Sequence, residues 1–190
     1  MIDLIGSAVE ISTWLTKHSV PHFFIGGLAV QYWGEPRLTA DVDLCVAVEP
    51  EEADSLVEKL LKEFQPATAA ARDIARRSLL LPLRSSTGVL VEVALGFSGF
   101  EKTAAGRTRR IEVAPGKRIP ICSAEDLIVY KIMANRSKDI ADIETILLRQ
   151  GRRLDKKYIR NTLKLLEDVV DDPDLLGRFD RMWREALGKK

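Results

Sequence analysis

Two carboxylates stand two residues apart in an apolar segment, DVDLCVAV (residues 41–48). Side chains two apart on a strand point to the same face, so Asp41 and Asp43 would lie side by side. Two like charges this close in apolar surroundings are unfavourable unless a cation lies between them. Mg²⁺ (or Mn²⁺) prefers such oxygen ligands and often takes one or two carboxylates together with substrate phosphates. The pattern predicts such a metal site; the alternatives are an exposed strand edge or an ion pair with Arg37.

A third acid interrupts a second apolar strand, VLVEVAL (residues 89–95). If this strand lies beside the first, Glu92 becomes the third carboxylate of one cluster. Three converging acids fit a phosphoryl-type transfer site with one or two metal ions. Glu92 would either complete the metal site or act as the base. The alternative is an exposed glutamate on a half-solvated face.

A glycine pair, Gly26 and Gly27, ends an apolar strand and opens a segment of helical character. The missing side chains let a phosphate approach the backbone, and helix N-terminal amides favour an anion, although a glycine pair serves a tight turn equally well. Phosphate binding beside metal carboxylates predicts a nucleoside triphosphate (NTP) substrate. Arg37 and Thr39, just before the carboxylate strand, either contact phosphates or position their loop.

Taken together, the segment IGGLAVQYWGEPRLTADVDLCV resembles the signature of the DNA polymerase β-type nucleotidyltransferase superfamily. That signature is a hydrophobic residue, Gly, Gly or Ser, a spacer, and Asp-hydrophobic-Asp/Glu-hydrophobic; the spacer here has thirteen residues. The third acid of the superfamily lies on a later strand, where Glu92 matches in position although Asp is more usual. The resemblance implies metal-dependent transfer of a nucleoside monophosphate from an NTP to an acceptor hydroxyl.

A later segment, SAEDLIVYKIMANRSKDIADIETIL, resembles the AbiEii-type nucleotidyltransferases, toxins of bacterial toxin–antitoxin systems. Lys131, Asp139 and Asp142 match the lysine and the Arg/Lys-Asp-x-x-Asp of that family. Lys131 would hold the triphosphate, and the carboxylates would orient it or assist deprotonation of the acceptor. Ordinary helix salt bridges, such as Lys138 with Asp142, are the alternative. The resemblance also implies an RNA acceptor, with addition to the tRNA 3′ end as in MenT-like toxins, and a cognate antitoxin.

The charge distribution bears on the acceptor. The net charge of +1 combines −5 over residues 1–100, +8 over 101–164 and −2 over 165–190. A basic middle segment suits a phosphate-bearing partner such as RNA, or is simply a set of solvated helix faces. Other hypotheses keep the chemistry with an aminoglycoside-like small molecule or a protein side chain as acceptor, or make the protein a non-catalytic nucleotide-binding domain.

The hydrophobic patterning predicts an α+β fold, a mixed β-sheet nucleotidyltransferase core with flanking helices (residues 1–122) followed by a helical C-terminal part (123–190), or one compact domain. No segment is long and apolar enough for the membrane, and the missing signal peptide and two isolated cysteines predict a cytoplasmic protein with buried thiols. Strands are predicted within residues 21–27, 41–48, 78–96 and 109–122, the last two as hairpins. Helices are predicted over 2–18, 28–34, 50–64, 123–134, a segment ending near 149, 155–170 and 173–187.

Overall fold

The computed structural model describes residues 3–96 and 99–188. The chain divides into two compact units. The first comprises Met1–Leu28 and Leu38–Cys122, and the second comprises Ala29–Arg37 and Ser123–Lys190. The break after residue 122 is where the sequence pattern changes from strands to helices. The assignment of residues 29–37 to the second unit has no counterpart in the local sequence pattern.

A mixed sheet of seven strands forms the centre of the first unit. Its strands are β1 (His22–Phe24), β2 (Asp41–Ala47), β3 (Gln65–Pro66), β4 (Leu80–Arg84), β5 (Leu90–Gly96), β6 (Arg109–Ala114) and β7 (Lys117–Ile121). They are arranged in the order β3-β4-β5-β2-β1-β7-β6. This arrangement confirms the predicted mixed-sheet α+β fold, including both hairpins.

The alternation along β2 and β5 explains why these two strands are central. Val42, Leu44 and Val46 are fully buried, whereas Asp41 and Asp43 on the alternate positions are half-buried. β2 pairs parallel to β5 and antiparallel to β1, and β5 also pairs antiparallel to β4. One face of each central strand is therefore fixed in the core, which leaves the other face for the acids.

Helices flank this sheet. They are α1 (Leu4–Lys17), α2 (Gly26–Trp33), α3 (Pro50–Glu63), α4 (Ala71–Ser78) and α5 (Gly99–Gly106), with α2 continuing into the second unit. The side chain of Asp3 caps α1 by accepting from the Gly6 amide at 2.8 Å, so the helix begins later than predicted; Ile2 lies outside the described residues. α4 and α5 were not predicted, because each has only eight residues and two buried side chains.

The second unit is helical. It contains α6 (Ala124–Ala134), α7 (Ser137–Gln150), α8 (Lys156–Val169) and α9 (Leu175–Leu187), with a 3₁₀ turn at Gly151–Arg153. Ser123 caps α6 by accepting from the Asp126 amide at 3.1 Å, as its Ser-x-x-Asp spacing predicts. The Tyr158 hydroxyl donates to Asp126 Oδ1 at 2.6 Å and so ties α8 to α6.

The length and polarity of the helices and the state of the cysteines bear on two further predictions from the sequence. Within residues 3–96 and 99–188, every helix is too short or too polar to cross a bilayer. Cys45 and Cys122 are both buried free thiols, as predicted.

Leu44 and Leu38 offer a matched test of the core. We expect Leu44→Ala to lower the free energy of unfolding by about 3 kcal/mol, because it leaves a cavity beneath the central strand. Leu38, in the same unit, is 98% exposed, so Leu38→Ala should change stability by less than about 0.5 kcal/mol. Urea unfolding followed by circular dichroism measures both. Equal losses for the two variants would contradict this description of the core.

Candidate functional site

Strand pairing brings three carboxylates together in the first unit. Asp43 lies directly opposite Glu92 in the parallel register of β2 and β5, and Asp41 is two residues before Asp43 on the same face. Neighbouring strands are about 4.8 Å apart, so side chains at paired positions meet. We call Asp41, Asp43 and Glu92 the carboxylate cluster.

The geometry of the carboxylate cluster fits a divalent cation. One oxygen from each of its three residues lies within 4.8 Å of the other two, and all three residues are half-buried. An octahedral Mg²⁺ holds its oxygen ligands at about 2.1 Å, so that the ligands are at most about 4.2 Å apart. Small side-chain rotations close that difference. The all-oxygen donor set suits Mg²⁺ or Mn²⁺, and the open side of a half-buried site leaves room for further oxygen ligands.

Gly26 admits the Asp43 carboxylate. Gly26 has a φ of +58°, and a Cβ at this position would overlap the Asp43 side chain. The Ile25 amide also donates to the Asp43 carbonyl oxygen at 3.0 Å, which fixes the end of β1 against β2. Glycine is therefore required at position 26 for two reasons, its backbone conformation and the close approach of a carboxylate.

Gly27 and Thr39 support the other aspartate. A Cβ on Gly27 would lie 2.5 Å from the Thr39 hydroxyl oxygen, so the missing side chain of Gly27 leaves space for Thr39. That hydroxyl donates to Asp41 Oδ1 at 2.6 Å. A charge-assisted hydrogen bond of this kind orients the carboxylate. Thr39 thus contacts Asp41, and binding of a phosphate by Thr39 stays a prediction.

A second group of charges lies in the second unit. The Lys131 ammonium donates to Asp139 Oδ1 at 3.0 Å and lies 2.7 Å from Asp142 Oδ2. The Lys131 side chain is 5% exposed, and the two aspartates are 0% and 4% exposed. The structure thus brings together the three residues that the second sequence motif singled out.

Two arginines complete this ion-pair network. Arg37 donates to both carboxylate oxygens of Asp142, from Nε at 2.7 Å and from Nη2 at 2.9 Å. Arg136 donates to Asp139 in the same two-point manner, from Nε at 2.6 Å and from Nη2 at 3.2 Å. Sequence reasoning missed Arg136, although an arginine three residues before a helical aspartate is a signal for such a pair.

These contacts determine the ionisation of the two aspartates. Burial works to raise the pKa of Asp139, but hydrogen bonds from Arg136 and Lys131 outweigh burial and hold this pKa below its usual value. Burial likewise works to raise the pKa of Asp142, and hydrogen bonds from Arg37 and Lys131 lower it. A carboxylate with a lowered pKa is a weaker base than an ordinary one. These contacts hold Lys131 between the two aspartates, and a part for Asp139 or Asp142 in a reaction stays a prediction.

The contacts of Asp142 distinguish between the alternative pairings of these charges. Arg37 pairs with Asp142, which was not anticipated. Asp142 is bound by Lys131, and the alternative pair of Lys138 with Asp142 is not seen among the described residues. Binding of a triphosphate by Arg37 or Lys131 stays a prediction, and both cations are already held by carboxylates in their own unit.

Comparisons with known proteins bear on the fold. No protein-family model and no curated protein matches the sequence. Among solved structures, an antigenic nucleotidyltransferase-like protein from Paracoccidioides brasiliensis is 20% identical, with a TM-score of 0.54 over 92% of each chain. The antibiotic-resistance factor ANT(2″)-Ia is 14% identical, with a TM-score of 0.55 over 90% of this chain and 94% of that one.

A third similar structure is MenT4, a nucleotidyltransferase toxin from Mycobacterium tuberculosis H37Rv. It is 14% identical, with a TM-score of 0.52 over 90% of this chain and 66% of that chain. The chain has a nucleotidyltransferase-like fold. At such identities the likeness concerns the fold alone.

Gly26 and Gly88 make a matched pair for testing the packing of the carboxylate cluster. Both have positive φ, but a Cβ on Gly88 would meet nothing within 4 Å. We expect both alanine variants to lose about 1 kcal/mol of stability from the backbone strain. Only Gly26→Ala should also weaken Mn²⁺ binding, by about tenfold or more, because its Cβ displaces Asp43. Calorimetric Mn²⁺ titration and thermal unfolding measure the two effects; equal Mn²⁺ affinities would contradict the assignment.

Asp142 and Asp174 test the buried ion-pair network. Asp142→Asn should lower the free energy of unfolding at neutral pH by about 3 kcal/mol, because it leaves the buried Lys131 partly uncompensated. Asp174, which binds Arg181 in a similar two-point geometry, is exposed, and Asp174→Asn should have little effect. Urea unfolding at neutral pH measures both.

The network also predicts a pH dependence. The pKa of Asp142 is lowered in the folded protein, so the unfolded chain takes up its proton first. The stabilisation of the folded protein by ionised Asp142 is therefore complete above the pKa of the unfolded chain, about pH 4. It is lost as the pH falls through the lower pKa of the folded protein. The stability difference between wild type and Asp142→Asn should shrink on acidification below about pH 4. A difference that grows in acid would contradict this assignment.

Proposed function

We propose that the protein is a nucleotidyltransferase that moves a nucleoside monophosphate from an NTP to an acceptor hydroxyl. The carboxylate cluster carries this proposal, because three half-buried acids converge within 4.8 Å and are each fixed by backbone pairing. Folding alone gives no reason to gather three negative charges at one place in a sheet. The nucleotidyltransferase-like fold supports the same chemistry.

Mg²⁺, with Mn²⁺ as the alternative, is the cofactor we assign to Asp41, Asp43 and Glu92. The donor set is oxygen only, which these ions prefer. When bound, such an ion neutralises phosphate charge and fixes the orientation of the triphosphate.

The side chains of the chain would act as follows. Asp41, held by Thr39, and Asp43, packed on Gly26, keep fixed positions for the ligands they provide. The acceptor oxygen forms a bond to the α-phosphorus, and the bond from that phosphorus to the bridging oxygen of the leaving pyrophosphate breaks. The hydroxyl proton goes to a base, for which Glu92 is our candidate. The backbone of Gly26 and Gly27 at the start of α2 is our candidate for phosphate binding.

The acceptor we propose is RNA, at the tRNA 3′ end, with the protein acting as a toxin that a cognate antitoxin restrains. The basic segment 101–164, with a net charge of +8, supports a polyanionic acceptor. The fold shared with the MenT4 toxin is compatible with it. The second candidate acceptor is an aminoglycoside-like small molecule, which the fold shared with the antibiotic-resistance factor ANT(2″)-Ia favours.

The proposal is tested by incubating the purified protein with labelled NTPs, Mg²⁺ and either total tRNA or aminoglycosides. We expect label on tRNA, and a loss of about 1000-fold or more in Asp41→Asn and Asp43→Asn, since several kcal/mol of transition-state stabilisation depend on the metal ligands. Asp73→Asn, an exposed acid on α4, is the matched control and should keep full activity. Label on the aminoglycoside alone would favour the second candidate. No transfer with Mg²⁺ or Mn²⁺ would leave a nucleotide-binding domain.

A further inference from the structure

The hairpin β6–β7 concentrates positive charge. Residues 107–118 hold five basic residues and one acidic residue, a net charge of +4. β6 is at the edge of the sheet, and four of these basic side chains are on exposed residues: Arg109, Arg110, Lys117 and Arg118. Charged edge strands often simply prevent pairing with another sheet. Charge alone therefore does not establish a binding surface.

An open groove lies between this hairpin and α1, within the first unit. It has a volume of about 470 Å³. Its polar lining consists of Ser12, Thr13, Thr16, Lys17, Arg110 and Arg118. None of these residues belongs to the carboxylate cluster. We call this feature the α1–hairpin groove.

The cations of the α1–hairpin groove are available to a ligand. Among the described residues, the structure gives no ion pair to Lys17 or Arg110. Arg118 reaches Glu112 at 3.5 Å, but both side chains are at least half exposed, and such pairs contribute little. The groove thus combines three cations with no acidic lining residue.

The hydroxyl groups add a further constraint. Ser12 hydrogen-bonds His22 at 2.8 Å, and Thr13 donates to the Val9 carbonyl oxygen at 2.7 Å, so both hydroxyls have partners within the fold. Binding would then depend mainly on the cations, with no set of fixed donors that encloses a single small anion. This arrangement suits a chain of phosphates that passes along an open surface.

We propose that the α1–hairpin groove binds the phosphodiester backbone of the RNA acceptor. The inference rests on the proposed function, because it assigns a surface to that acceptor. Arginine offers a planar pair of donors to phosphate oxygens, and lysine offers a compact charge. Arg109 and Lys117 are exposed on the same hairpin and add to its positive charge.

The test measures RNA binding without catalysis. Fluorescence anisotropy with labelled total tRNA and no NTP is followed from about 50 to about 200 mM salt, for the wild-type protein and for its variants. We expect the charge reversal Arg110→Glu/Arg118→Glu to weaken binding by about tenfold or more and to reduce the slope of log affinity against log salt by about 1.5. The neutralising pair Arg110→Gln/Arg118→Gln should give a smaller loss in the same direction.

Lys59→Glu/Arg77→Glu is the matched control, since it makes the same change in net charge at exposed positions of the same unit. We expect it to keep wild-type affinity and, like the other variants, the wild-type unfolding temperature. An equal loss in the control would overturn the groove, because the effect would then be general electrostatic attraction. Displacement of tRNA by poly-glutamate at equal charge concentration would also overturn it, in favour of an acidic protein partner.

Different results would overturn the proposed function and the proposal that the α1–hairpin groove binds RNA. If tRNA does not bind the wild-type protein, the groove is overturned even when a small molecule is labelled. If tRNA binds through Arg110 and Arg118 but no nucleotide is transferred, the groove is supported and the proposed function is overturned.

Discussion

The parallel register of β2 and β5 is the constraint on which the site depends. It sets Asp43 beside Glu92, and the two-residue period of β2 adds Asp41 on the same face. A slip of one residue in the pairing would turn Glu92 away from Asp43 and place a valine beside Asp43. The same slip would move a charged side chain into the core. The buried valines and leucines on the alternate positions prevent that slip. The hydrophobic core therefore holds the acids in place.

Crowding around Asp43 gives the glycine pair a role within the protein itself. Gly26 leaves room for the Asp43 carboxylate, and Gly27 leaves room for the threonine that holds Asp41. Both glycines are thus needed for the packing of the protein itself, whether or not a phosphate is bound. The same backbone, at the start of α2, also offers amides to an anion. One pair of residues can serve both purposes because neither purpose uses a side chain.

The second unit solves a related electrostatic problem in a different way. Lys131 is buried between Asp139 and Asp142, and each aspartate also binds an arginine in a two-point geometry. Removing two carboxylates and an ammonium from water is costly, and this network compensates the cost with paired charges and hydrogen bonds. The lowered pKa values of both aspartates follow from these contacts. The network defines one arrangement of α6 and α7, whatever part Lys131 plays toward a substrate.

The sequence by itself determined most of the fold and pointed to the carboxylate cluster. Alternation in DVDLCVAV and VLVEVAL fixes which face of each strand is buried, and Ser123 and Pro50 mark helix starts, because these are local properties of the chain. Only the tertiary structure decided that Glu92 is the neighbour of Asp43, that Arg37 binds Asp142, and that α1 and the β6–β7 hairpin line one groove. Those are meetings of residues far apart in the chain, and they depend on strand order and helix packing, which no local pattern encodes.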